Sequence, residues 1–200
     1  MKSVLISTRP KWCEKICHEI GKEEEGKPIY EKRIEVRKTA PKEVPFKAYI
    51  YETKESKMRY LNDRFKSFLK NKSHYTDMGK VIGEFICDRI EIFEKSELGI
   101  KSKDFFALAE SCVKVKEMRE YIGENKIAYG WHISDLKIYD KPKELSEFRP
   151  ICKFEGKDAI CALFCPNWKY DGGLFFECTR KVDRPPQSWC YVEELCKAQN

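Results

Sequence analysis

The sequence predicts one α+β domain: a mixed, mostly antiparallel set of short strands with a few helices around them. Three observations carry this. Several short runs alternate apolar with polar residues, the period of a strand with one buried face. Other stretches repeat apolar residues every three to four positions, the period of an amphipathic helix. Hydrophobic residues make up 42% of the 200 and charged residues 36%, a composition that can fill a core and still be well solvated. No internal repeat or low-complexity linker divides the chain, so residues 1–200 read as a single domain. A small closed barrel is one solution for such strands, because closure removes exposed sheet edges.

Residues 3–8 read as a strand. Pro10 suits the first turn of a helix running to about Ile20, because Trp12, Ile16 and Ile20 recur every four residues with Cys13 and Cys17 beside them. Gly21 fits its stop. Residues 22–30 form a charged loop. Lys32 to Lys38 alternates around Ile34 and Val36, which makes it a strand with Arg33, Glu35 and Arg37 on the opposite face. Phe46 to Thr53 is another strand, with Phe46, Ala48 and Ile50 on one side and Tyr49 and Tyr51 on the other.

Residues 55–72 place Met58, Leu61, Phe65, Phe68 and Leu69 at helical spacing, the pattern of an amphipathic helix inserted between strands. Gly79 to Phe93 is the longest strand signal, and Gly83 marks a bulge in it. Ser102 is placed to cap a helix over 103–110, and Ser111 another over about 113–122 that ends at Gly123. Lys126 to Tyr139 is strand-like around Ala128, Trp131, Ile133, Leu136 and Ile138. Pro142 starts a turn or short helical piece. Residues 150–200 form a cysteine-rich extension, within which Gln187 to Leu195 gives a last strand.

No stretch approaches the roughly 18 apolar residues of a membrane span. The first apolar run stops at Arg9-Pro10 and reads as a core strand rather than a secretion signal. Ten cysteines in a chain of this size then read as reduced thiols of a cytoplasmic protein. Net charge is +6, and it is uneven: residues 1–72 hold 19 Lys and Arg against 11 Asp and Glu, the remainder 20 against 22. A basic N-terminal third favours a polyanionic partner such as RNA or a nucleotide phosphate. On charge alone, a solvated lysine-rich surface explains it equally well.

The run Lys32-Arg33-Ile34-Glu35-Val36-Arg37 resembles the G-x-K-x-x-E-x-R hallmark of ASCH domains, with Lys32, Glu35 and Arg37 at the matching positions. Ile6 to Cys13 is similar to that family's first strand and opening helix. Val44 to Tyr51 is similar to the strand after the motif, and Val81 to Phe85 to the next one. Tyr129 to Leu136, Pro142 to Leu145 and Arg184 to Tyr191 resemble a subgroup found in phages and Gram-positive bacteria. One departure is Tyr30, which stands where the motif has glycine. The resemblance implies a PUA-like small mixed or antiparallel β-barrel with flanking helices, a cleft between the first helix and the barrel, and RNA-related ligands. One branch of the family removes acyl groups from acylated cytidines. There a lysine and a threonine stand where this chain has Lys32 and Glu35, so Glu35 argues against copying that activity.

The candidate ligand-binding residues are Arg9, Lys11, Trp12, Lys32, Glu35, Arg37, Trp131, Ser188 and Trp189. Arg37 offers a planar donor fork for phosphate or a base edge, and Glu35 can accept from an exocyclic amine or orient Lys32. Strict alternation puts Lys32 on the other face unless a bulge near Arg33 brings it round. The plain alternative is an exposed ion pair of little weight. Trp12, Trp131 and Trp189 offer a stacking wall for a base, although tryptophans more often pack in a core. Arg9 and Lys11 open the first helix, where an anion is favoured. His132 reads as structural. Cys161, Cys165, Cys178, Cys190 and Cys196 lack the tight pairs of structural zinc sites, so neither metal nor other cofactor is expected.

The leading expectation is a non-catalytic module that binds RNA or a modified nucleotide. One alternative is a hydrolase acting on a modified nucleoside or RNA, as an amidohydrolase or nuclease, with Lys32 activating a nucleophile or water and Glu35 or Glu84 as acid and base. Another is a phage-encoded protein-interaction module that docks through the 55–72 helix.

Overall fold

A computed structural model describes residues 2–22, 26, 28–54, 79–151, 168–170 and 176–195. Two sheets dominate. The first has the order β10-β6-β5-β1-β13, built from β1 (Ser3–Thr8), β5 (Phe46–Glu52), β6 (Val81–Cys87), β10 (Ser134–Lys143) and β13 (Trp189–Val192). The second has the order β4-β9-β7-β8, from β4 (Ile34–Arg37), β7 (Ile90–Ser96), β8 (Gly99–Lys101) and β9 (Ile127–His132). Among the described strands only the β1 and β5 pair runs parallel, with Ile6 opposite Ile50. A parallel pair needs a crossover, and here it carries α1 (Pro10–Cys17) and β4.

The two sheets share two bent strands. The single strand signal over 79–93 breaks at Asp88-Arg89 into β6 and β7, and that over 126–139 breaks at Ile133 into β9 and β10. β6 and β10 lie in the first sheet, β7 and β9 in the second. At the two bends, His132 Nδ1 lies 2.6 Å from Asp88 Oδ1, which ties the corners together. Gly83 sits at the expected bulge: the register slips between Ile50 and Tyr51 opposite it, and a Cβ there would stand 2.5 Å from the Lys137 carbonyl oxygen.

Between the sheets lies the main core, with Val4, Ile6, Ile16, Ile34, Val36, Phe46, Ala48, Ile50, Phe85, Phe93 and Trp131 all buried. The other face of the first sheet is buried as well. Leu5, Tyr49, Tyr51, Val81 and Val192 pack there with Phe148 and Val182, which explains why β5 carries large side chains on both faces.

Among the described residues the sheets do not close into a ring, against the closed barrel expected from edge avoidance. The outer edge of β4 explains this, because the chain at 110–112 already occupies it. Arg33 N donates to Glu110 O at 3.1 Å and Cys112 N to Ile34 O at 2.9 Å, with a parallel bridge between Ile34 and Ser111. This segment joins α2 (Phe105–Glu110) to α3 (Val115–Ile122). The segment covers the start of β4, at Arg33 and Ile34; among the described residues β4 has no backbone ladder to β1, and the gap between them is open.

Other boundaries differ from the sequence reading. Helix α1 stops at Cys17, because His18 is extended. The chain then forms a hairpin of β2 (Glu19–Lys22) and β3 (Pro28–Tyr30), in which Ile20 is exposed. The apolar period that includes Ile20 is thus overridden by strand pairing, and the charged loop shrinks to the hairpin tip. Helix α2 begins at Phe105, capped by Asp104 accepting from Phe106 N rather than by Ser102. Gly123 ends α3 with φ of 61°. Pro142 lies inside β10, and the helical piece is a short 3₁₀ turn at Leu145–Glu147. The 55–72 insertion lies outside the described residues, as does most of the cysteine-rich stretch, where β11 (Trp168–Tyr170) pairs with β12 (Phe176–Cys178).

Candidate functional site

The open gap is the floor of a cleft of about 700 Å³. Ser7 and Thr8 at the end of β1 contribute one side, with Arg9, Lys11 and Trp12 from the start of α1. Glu35 and Arg37 of β4 form the floor, α3 brings Glu117, Glu120 and Tyr121, and the segment before β13 brings Gln187 and Ser188. Strand alternation explains the floor. Ile34 and Val36 point into the core, which sends Glu35 and Arg37 to the gap.

Arg37 spans the gap. Its Nη1 donates to Ser7 O at 2.9 Å and to Ser188 O at 3.2 Å, and its Nη2 to Thr8 Oγ1 at 2.9 Å. Nη2 also meets Glu35 Oε1 at 2.8 Å, with the Arg37 and Glu35 side chains only 7% and 5% exposed. The pair is therefore buried, not the exposed surface pair that was the plain alternative. Both Nη groups are taken up by protein acceptors, so Arg37 acts here as a bridge between β4, β1 and the β13 approach, while its Nε is buried with no hydrogen-bond partner among the described residues. Burial pushes the Glu35 carboxyl above its usual range, and Arg37 opposes that shift. Glu35 Oε2 is buried with no hydrogen-bond partner among the described residues.

The mouth is differently charged. Arg9 is exposed at the N-cap of α1. Lys11 Nζ lies 3.6 Å from Glu117 Oε1, an ion pair from α1 to α3 across the cleft. The Lys11 and Lys15 ammonium groups stand 4.0 Å and 4.8 Å from the centroid of the half-buried Trp12 ring. Arg9, Lys11 and Arg37 thus face Glu35, Glu117 and Glu120, three charges of each sign around one cavity.

Six of the nine candidate residues line this cleft: Arg9, Lys11, Trp12, Glu35, Arg37 and Ser188. Lys32 lies outside it. No bulge interrupts the register of β4 with β9 from Ile34 to Arg37, and Lys32 Nζ donates to Ala109 O at 2.9 Å. Trp131 is fully buried in the core, edge-on to Phe46 at 5.0 Å and to Trp189 at 5.8 Å. Trp189 packs on that core, and its Nε1 donates to Thr39 Oγ1 at 3.0 Å. Neither ring faces the cleft. Glu84 accepts from Tyr139 Oη at 2.6 Å, also away from it.

Thr8, Glu117, Glu120, Tyr121 and Gln187 join the site without having been anticipated. Met118 and Ile122 are the buried residues of α3, so positions 117, 120 and 121 fall on its open side. That helical phase was readable, but nothing in the sequence said what the open side faced. Among the described residues no group of three or more His, Cys, Asp or Glu is arranged to hold a metal. Burial pushes the Cys13 and Cys112 thiols well up and the Cys87 thiol up to about 12, the behaviour of packing cysteines. Cys161, Cys165 and Cys196 lie outside the described residues. No described helix is long and apolar enough to cross a membrane.

No family model matches the chain, and no curated protein matches it. Solved structures do. The chain is similar to a tyrosine-to-phenylalanine variant of the ASCH protein from Zymomonas mobilis, at 15% identity and a TM-score of 0.50, covering 97% of this chain and 92% of that one. The structure of the unsubstituted Zymomonas mobilis protein aligns at 16% identity with a TM-score of 0.46, over 96% and 89%. The first likeness shows that this chain has the mixed α+β fold of an ASCH protein.

Proposed function

We propose that the protein is a non-catalytic ASCH-type module that binds a nucleotide, free or within single-stranded RNA, in the cleft between α1 and the β1–β4 gap. The observation that carries this is the arrangement of Arg9, Lys11 and Trp12 on the first turn of α1, above the buried Glu35–Arg37 floor. A helix N-terminus flanked by two cations favours a phosphate, and an aromatic ring at the same mouth suits a base. The ASCH-like fold supports the same reading. In this proposal Arg9, Lys11 and Trp12 contact the ligand, while Arg37 and Ser188 hold the floor in place. The phage and Gram-positive resemblance and the cytoplasmic setting belong to the same proposal.

A hydrolase built on Lys32 and Glu35 has weaker support. Lys32 donates to a backbone carbonyl outside the cleft that Glu35 lines, so the two do not meet at one reacting centre.

The test is calorimetric titration with nucleoside monophosphates and short single-stranded RNAs, on the wild type and on Arg9→Ala/Trp12→Ala. Binding that weakens at least tenfold in the double variant supports the reading. Absence of binding at low salt by a folded wild type overturns it.

A further inference from the structure

The cleft floor holds one acceptor that the fold leaves unspent. Arg37 Nη2 fixes Glu35 Oε1 at 2.8 Å, while Glu35 Oε2 is buried without a hydrogen-bond partner among the described residues. Of the neighbouring polar groups, Arg37 Nε is likewise buried without a hydrogen-bond partner among the described residues, and the acceptors are engaged. Ser7 O, Ser188 O and Thr8 Oγ1 accept from Arg37, and Ser7 Oγ donates to Pro186 O at 2.6 Å. A buried acceptor without a donor is costly, and a ligand N–H that reaches it recovers that cost. Because Arg37 balances the carboxylate charge, the incoming donor need not be a cation.

We infer that Glu35 Oε2 selects nucleotides whose base carries an exocyclic amine, as cytosine and adenine do, over uracil. This rests on the nucleotide-binding reading above. An exocyclic amine presents N–H to a carboxylate, the pairing by which Glu reads cytosine N4. The uracil edge presents one imide N–H between two carbonyl oxygens, and these meet the second carboxylate oxygen with like partial charge. The orientation is consistent with the mouth, since a base directed to Glu35 leaves its phosphate toward Arg9 and Lys11.

The experiment compares CMP, UMP and the 4-desamino analogue of CMP by calorimetric titration on the wild type and on Glu35→Gln. In this variant the amide oxygen keeps the contact to Arg37, and the amide NH₂ takes the place of Oε2. An acceptor becomes a donor at an otherwise conserved site. The wild type is expected to bind CMP at least tenfold more tightly than UMP or the desamino analogue, and Glu35→Gln to bind UMP more tightly than CMP. CMP and UMP within twofold of each other on the wild type, UMP the tighter, or an unchanged preference in Glu35→Gln overturns the inference and leaves nucleotide binding standing. A wild type that binds none of the three overturns the nucleotide reading and the inference with it. Should Glu35→Gln not fold, the wild-type ratio of CMP to its desamino analogue decides alone.

Discussion

Arg37 Nη1 donates to the carbonyl oxygen of Ser188 across 3.2 Å, and so joins β4 to the approach of β13 where no backbone ladder does. With Ser7 O and Thr8 Oγ1 as further acceptors, one side chain substitutes for part of a missing strand pairing. Arg37→Met is therefore expected to destabilise the fold by about 3–5 kcal/mol, because it strands the buried Glu35 carboxylate. Adding Glu35→Leu to it should recover part of that loss. Urea denaturation of the two single variants and the double variant checks both statements through the coupling term.

The Glu35 carboxyl is held above its ordinary value near 4.5 by burial. Its folded form therefore binds a proton more readily than its unfolded form. The sign follows from proton linkage: this group favours folding most when protonated, below pH 4.5, and loses that contribution as pH rises through its folded value. Relative to Glu35→Gln, the wild type should gain stability as pH falls through that interval and gain no more below pH 4.5. Denaturation free energies of both proteins across pH 3–8 measure the difference. A constant offset at every pH would show that the carboxyl titrates normally.

The Lys11–Glu117 pair spans the mouth with both side chains more than 40% exposed, so it contributes little to stability, roughly 0.2–1 kcal/mol. Its effect on a phosphate is more direct, since Glu117 competes for Lys11. Glu117→Gln is expected to tighten nucleoside monophosphate binding about two- to fivefold at low salt, and the gain should shrink at high salt. Titration at two ionic strengths measures both.

Gly130 of β9 lies between side chains of the two strands that flank it, Phe93 of β7 and Ile34 of β4. A Cβ there would stand 2.5 Å from Phe93 Cε2 and 2.7 Å from Ile34 Cγ2. Gly130→Ala should cost about 1–3 kcal/mol as an overpacked core substitution. A thermal melt that matches the wild type would mean that Phe93 yields without strain.

Strands with one face or both faces in the core were readable in order, because alternation survives in Ile34-Glu35-Val36-Arg37 and in Phe46 to Tyr51. The bulge at Gly83 was readable for the same reason. The bends at Asp88-Arg89 and Ile133 were not, since neither carries a glycine or proline, and both strand patterns run through them. Helix α1 was overextended because Ile20 continues its period although the hairpin claims it. At the site, α1 and the β4 motif are local in sequence and could be found. The contribution of α3 depends on the 110–112 segment lying along β4, a long-range pairing that no local period records. Trp131 looked the same as Trp12 in sequence, but full burial on β9 and a half-buried place beside the cleft on α1 give them different surroundings.

The segment at 110–112 also has a bearing on how the chain avoids its own copies. An uncovered β4 would present free N–H and C=O groups next to apolar Ile34 and Val36, an invitation to strand-by-strand stacking between molecules. By lying along that edge, the connection between α2 and α3 shields it from intermolecular pairing while propping open the cavity beside it. Protection against aggregation and access to the cleft are thus tied to the same three residues, and a change that loosened their grip on β4 would put solubility at risk along with the site.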